Sequence, residues 1–188
     1  HRDLHSFPTR RSSDLFMENN FESKLPKIGP IGEKDRALLD AIQSSAQKVS
    51  ECYERFEVRN AVAEVVNLAR LGNQYFDEKA PWTSVKENKE DCQTCMFVSL
   101  QLINAIAVML SPVIPESCEK LWKQLGHKQK ISKWNDWAKK INAGHTIGQP
   151  KGLFAKIEDD LIVRLEEKLA KAIGGEKEIG RASCRERV

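Results

Sequence analysis

The sequence predicts an all-α helical bundle, and three observations predict it. Apolar residues recur at spacings of three and four from Leu38 to Phe76, the period of one helix face. The run Met96–Ile114 is apolar nearly all round, as the central helix of a bundle must be. Proline and glycine punctuate the pattern where helices stop and start: Pro81 and Pro115 at starts or breaks, and Gly126 as a C-terminal cap.

Taken in order, residues 18–33 read as a loop, because Pro26, Gly29, Pro30 and Gly32 break any regular element. Phe16–Phe21 reads as the tail of a helix. From Lys34 the stripe Leu38, Ile42, Ser45, Val49, Tyr53, Phe56 predicts a first helix, with Asp40, Gln43, Gln47, Lys48 and Glu51 on its polar face. Val58, Val62, Val65, Ala69, Gly72 and Phe76 predict a second, ending before Pro81. Lys79-Ala80-Pro81-Trp82 reads as a loop carrying an aromatic. A third helix is expected from about Glu90 to Leu110 and should be the most buried. Pro115 suits the first turn of a fourth, which holds Cys118, Leu121, Trp122 and Leu125.

Beyond it the pattern loosens. Trp134–Trp137 predicts a short helical turn, and Ala143–Pro150 a surface loop. Leu153–Ile157 should dock on the body. Glu158, Asp159 and Asp160 place acidic charge at the positive end of a last helix, whose apolar face is Leu161, Ile162, Leu165, Leu169 and Ile173. Residues 174–178 read as a linker.

The two ends, residues 1–15 and 179–188, share an origin. A single DNA segment encodes Ser6–Asp14 in one orientation and Ile179–Arg187 in the other. They read as translated adapter sequence and are set apart from the fold, leaving residues 16–173 as the domain. The electrostatics change accordingly. Residues 1–15 carry three Arg and two Asp, and residues 179–188 three Arg and one Glu, which together account for the formal charge of +3. Residues 16–178 hold 24 basic and 24 acidic side chains. Overall charge is therefore no argument for a nucleic-acid partner, and any such binding must come from local placement. Phe16 and Met17 look like the inside of a longer reading frame.

Catalytic constellations are not visible. His127 and His145 both fall in loops, no phosphate-binding glycine loop is present, and no residues are spaced as metal ligands. Cys92 and Cys95 have CxxC spacing without a second pair, at the start of an apolar helix, and read as small buried hydrophobes beside Cys52 and Cys118. The run Met96–Ile114 contains Ser99, Gln101, Asn104, Ser111 and Pro112, so a core helix is expected in place of a membrane span. A reduced, cytoplasmic protein fits this usage.

One segment stands out. Asn73–Trp82 places an amide and aromatics late on a helix, then a Pro-Trp corner. A tryptophan fixed by a neighbouring proline offers a π-face on which an unpaired base can stack. The other reading makes Trp82 a cap on the bundle core, and the physics of the residues alone favours it.

A resemblance changes the balance. Asn67–Phe76 followed by Ala80-Pro81-Trp82, then Leu110–Ser117, then Gly144-His145, Pro150 and Leu153–Asp159 resemble, in order, the anticodon-binding domain of methionyl-tRNA synthetases. The resemblance implies a helical bundle of the class I synthetase type that reads the methionine anticodon. It implies Trp82 and Pro81 as the stacking corner, with Asn73 a further candidate. It also implies that this piece lacks the catalytic domain and part of the family's anticodon contacts, that it has no cofactor of its own, and that it does not activate methionine. The parent enzyme would use ATP and Mg²⁺ to join methionine to its tRNA, with the anticodon loop and the parent's catalytic domain as partners. Two alternatives remain: the related helical domain of a leucyl, isoleucyl, valyl or cysteinyl synthetase, or a non-enzymatic helical module that binds a protein.

Overall fold

Gly32 and Asp35 start the first helix. Asp35, at the third helical position, turns its carboxylate back to accept the Gly32 N–H at 2.7 Å, satisfying a donor that the helix leaves open. This is a computed structural model, and it describes residues 24–25, 27–139, 141–148, 152–154 and 159–172. The expectations for both ends, for Phe16–Phe21, for Ile173 and for residues 174–178 lie outside these residues. So do those for residues 22–23, for Pro26, for residues 149–150 and for residues 155–158.

The elements are α1 (Glu33–Glu54), α2 (Val58–Lys79), α3 (Pro81–Glu87), α4 (Lys89–Leu110), α5 (Pro115–Gln124), a 3₁₀ turn (Trp134–Ala138) and α6 (Asp159–Ala172). α4 is the hub: α1, α2, α3, α5 and the 3₁₀ turn all pack on it. Every residue of α4 from Met96 to Leu110 is buried except the partly exposed Phe97, so the all-round apolar pattern meant what it predicted. By length and composition α4 could also cross a membrane, yet most of it is buried inside the bundle. Among the described residues the extended pairing is one isolated bridge, Lys24 with Thr146.

The α1 stripe holds as far as Val49, with Leu38, Ile42, Ser45 and Val49 buried. Tyr53 is half-buried and its hydroxyl donates to the Met109 carbonyl at 2.9 Å, tying the end of α1 to the end of α4. Phe56 departs from expectation. It lies past the helix end, 90% exposed, with φ 59°. Its N–H donates to Tyr53 and that of Glu57 to Cys52 (3.0 and 2.8 Å), the bond pattern of a Schellman stop with phenylalanine where glycine is usual. Val58 is likewise exposed, whereas Ala61, Leu68 and Tyr75 join Val65, Ala69, Gly72 and Phe76 on the buried face of α2.

α5 begins at Pro115 and ends as expected, with Gly126 at φ 87°. Glycine is required there twice over, because a Cβ would also lie 2.1 Å from the Thr146 carbonyl oxygen. That contact belongs to a returning strap, residues 141–148, which is more than a surface loop. Leu25 N–H donates to the His145 carbonyl, Gly144 N–H to Leu25, and Gly148 N–H to Gln124. Ile141 and Ile147 are buried beneath it.

His127 and His145 are structural partners in the strap's anchorage. The His127 ring stacks on Trp122 at 3.8 Å, and its Nε2 lies 2.7 Å from Asn104 Oδ1. Asn104 Nδ2 faces the carbonyls of Asp136, Trp137 and Lys139 at 3.3–3.5 Å. With the Asn104 amide donating there, its oxygen accepts from a neutral His127. Burial first, then His145 and Lys139, pull the His127 pKa down to about 4, against a small opposing pull from Asp136.

The chain divides after Leu153. Leu153 packs against the core as expected, while Phe154 is exposed. α6, described by itself, is an amphipathic helix whose Leu161, Ile162, Leu165 and Leu169 are exposed.

Candidate nucleic-acid interface

The Pro-Trp segment is not a loop. α2 runs to Lys79, a single residue breaks the path, and α3 starts at once with Pro81 in its first turn, where a missing N–H is harmless. Sequence reading missed α3 because Thr83–Glu87 has no apolar period. The break is Ala80, in the left-handed region at φ 41°, ψ 61°. A non-glycine residue held there costs about 1–3 kcal/mol. Its amide donates to the Phe76 carbonyl (3.1 Å), and its carbonyl accepts from Thr83 and Ser84 (2.9 and 3.1 Å), so the one residue both ends α2 and opens α3.

This geometry sets the aromatic. Pro81 is buried, and its carbonyl accepts from the Cys92 thiol of α4 at 3.7 Å. Trp82 follows and is 52% exposed, which separates it from the core residues around it. The ring tilts by 59° against buried Phe76 at a centroid distance of 6.1 Å. A half-open indole mounted on a buried proline and a buried phenylalanine can accept a flat apolar partner with little rearrangement.

Asn73 sits earlier on α2 and is half-buried. Its Oδ1 is sealed from solvent without a hydrogen-bond partner. The structure therefore brings Pro81 and Trp82 together and gives the Asn73 oxygen no open path to a ligand in this conformation.

A polar cluster beneath the corner escaped the sequence. Asp35 is 1% exposed; its Oδ1 accepts from the Tyr75 hydroxyl at 2.7 Å and lies 3.2 Å from Lys79 Nζ. Lys79 also pairs with Asp91 in the first turn of α4. Burial pushes the Asp35 carboxyl up, but Tyr75, the Gly32 N–H and Lys79 outweigh it and hold the acid below its ordinary value. Burial likewise opposes charge on Lys79, and the two carboxylates outweigh it, raising that ammonium's pKa. Burial, Cys95 and the bond to Asp35 push the Tyr75 phenol well above its usual range. The sequence does not single out Asp35, and nothing in its spacing announces a partner forty residues away.

The cysteines behave as small buried groups. Cys92, Cys95 and Cys118 are buried and Cys52 is partly so. Burial raises all three buried thiols, Cys95 to about 12 and Cys118 to about 11. Among the described residues no three His, Cys, Asp or Glu side chains converge as a metal site.

Comparison with known proteins places these features. Residues 25–174 match the family described as the anticodon binding domain of methionyl tRNA ligase. The chain is 33% identical over 148 residues to the methionine–tRNA ligase of Pyrococcus abyssi, covering 79% of this chain and 20% of that protein. It is 38% identical over 152 residues to that of Flavobacterium psychrophilum, covering 79% and 22%. The chain thus spans about a fifth of the length of these curated relatives. Among solved structures, Mycobacterium tuberculosis methionyl-tRNA synthetase in complex with methionyl-adenylate superposes with a TM-score of 0.77 at 20% identity, over 82% of this chain and 32% of that one. That likeness is one of fold.

Proposed function

The chain belongs to the family of anticodon-binding domains of methionyl-tRNA ligases, and on that premise we propose that its Pro81–Trp82 corner stacks an unpaired base of the methionine tRNA anticodon loop. The observation that carries the reading is the half-open Trp82 ring on a buried proline. A core cap would be buried like Phe76, and a base needs an open face of this kind. Net charge contributes nothing specific, since residues 16–178 are balanced, so affinity must come from stacking at a fixed site. Asn73 enters at one remove: with Oδ1 sealed, it contacts a base only if its side chain turns outward.

In a whole enzyme this domain would be joined to a catalytic domain that links methionine to its tRNA with ATP and Mg²⁺ in the cytoplasm. No step of that chemistry is assigned to residues of this chain. The protein-binding alternative differs in one measurable respect, because it leaves RNA affinity independent of Trp82.

The test is Trp82→Ala in a full-length ligase carrying this domain. Stacking worth about 1–3 kcal/mol predicts a fall of roughly 5- to 150-fold in kcat/KM for tRNA charging. Methionine activation, followed by ATP–pyrophosphate exchange, should stay near the parent rate. Unchanged charging would return Trp82 to a structural role. An equal fall in activation would place it at a domain contact.

A further inference from the structure

The geometry points to Lys79 as a positioning residue for tRNA recognition: its largely buried ammonium, held between Asp35 of α1 and Asp91 of α4, fixes the strained Ala80 junction and through it the direction of the Trp82 ring. The inference rests on the reading of Trp82 as the stacking residue.

Three observations meet at this point. Lys79 is the last residue of α2, immediately before Ala80 and three before Trp82. Its side chain is 11% exposed, unlike the solvent-facing Lys34–Glu78 pair nearby, where the two side chains are 61% and 40% exposed. Its partners come from two other helices, with Asp35 fixed in turn by Tyr75 and the Gly32 N–H. The chain is thus bolted on both sides of a left-handed alanine, by Lys79 before it and by buried Pro81 after it. Left to itself, Ala80 would relax to an ordinary helical or extended conformation. Either change swings the start of α3 and carries the indole away from Phe76. A largely buried ion with two acceptors on different helices resists that motion better than an apolar side chain, because it has a preferred direction as well as a preferred depth.

The test uses this chain and an RNA stem-loop bearing the CAU anticodon, titrated at low salt. With Trp82→Ala as reference, Lys79→Met should weaken binding by a comparable factor, and Lys79→Arg should recover most of it. In a double variant, Lys79→Met added to Trp82→Ala should cause little further loss, since both act through one ring. Labelling with 5-fluorotryptophan reads position directly. In Lys79→Met the Trp82 fluorine line should shift or broaden while those of Trp122, Trp134 and Trp137 stay in place.

If Lys79→Met unfolds, Asp91→Asn, which releases the lysine from α4 alone, should show the same effects in smaller measure. Should Trp82→Ala weaken binding while neither Lys79→Met nor Asp91→Asn does, the positioning role is refuted and the stacking reading stands. No effect of Trp82→Ala would overturn the stacking reading and the inference with it. Additive losses, or movement of all four fluorine lines, would show that Lys79 acts elsewhere or on the whole fold.

Discussion

Gly72 offers a sharp test of how α2 and α4 pack. An ideal Cβ placed on it would lie 2.0 Å from Leu102 Cδ2 and 3.4 Å from Leu102 Cγ. Carbon atoms rest comfortably at about 3.5–4.0 Å, so Leu102 would have to give way by roughly 1.5 Å, and it is 2% exposed in the middle of the core. Two effects compete in Gly72→Ala. Helix propensity favours alanine by about 1 kcal/mol, whereas overpacking a filled core costs about 1–3 kcal/mol. The depth of the overlap puts the second near its upper end, for a net loss of about 1–2 kcal/mol. Leu102→Val alone should cost about 1 kcal/mol by leaving a small void. Together the two changes should nearly cancel, because valine has no δ-methyl to meet the new Cβ and the propensity gain remains. Urea unfolding of the four proteins, at unchanged m-value, gives a coupling of about 2–3 kcal/mol in this account. Additivity within about 0.5 kcal/mol, or a Gly72→Ala protein stabilised by the full propensity term, would mean the two side chains do not meet and the α2–α4 register is wrong.

Three further outcomes follow from the core. Leu100→Ala or Ile103→Ala, at sites 0% and 5% exposed, should each cost about 2–5 kcal/mol, and losses near zero at both would make α4 peripheral. Native protein treated with an alkylating reagent near pH 8 should react at Cys52 before Cys92, Cys95 or Cys118, which burial both shields and keeps as thiols; mass mapping showing Cys95 modified first would contradict the packing. His127 titrates at about 4 when folded against about 6.5 when unfolded, so the unfolded chain binds the extra proton between those values and stability falls as pH drops through that window. The slope is at most about 1.4 kcal/mol per pH unit, lessened by solvent at a half-buried ring, and His127→Gln should flatten it.

The sequence shows most of this fold because most of it is written in apolar periodicity and in prolines and glycines. α4 is legible since it has no wet face, and the start and stop of α5 are legible in Pro115 and Gly126. What stayed hidden depends on geometry that periodicity does not encode. Phe56 continues the three-residue spacing from Tyr53, yet a Schellman stop turns it into solvent. α3 hides because a proline serves a loop and a helix start equally well, and the polar residues after it carry no stripe. His127 and His145 read only as loop residues because a stacking partner, Trp122, and a carbonyl acceptor, that of Leu125 at 2.6 Å from His145 Nε2, come from elsewhere in the fold. The corner was legible as residues and not as a shape: Pro81 and Trp82 could be singled out, while the left-handed Ala80 and the ion beneath it could not.

That division has a functional consequence. A base stacked on an aromatic ring gains about 1–3 kcal/mol, and immobilising a rotamer-rich side chain on binding costs about 0.5–1.5 kcal/mol. A tryptophan free to sample several rotamers and backbone directions would lose much of the gain to ordering. With balanced charge across residues 16–178 there is no broad phosphate attraction to make up the difference. Recognition by a single ring therefore requires that the ring be ordered before the RNA arrives. The strained junction, the buried proline and the lysine between two carboxylates meet that requirement at a cost borne on folding, where the burial of α4 can offset it. Loosening the corner should then weaken RNA binding with little change in the melting of the α4 core, and a variant in which the two losses track each other would show that the ordering is not local.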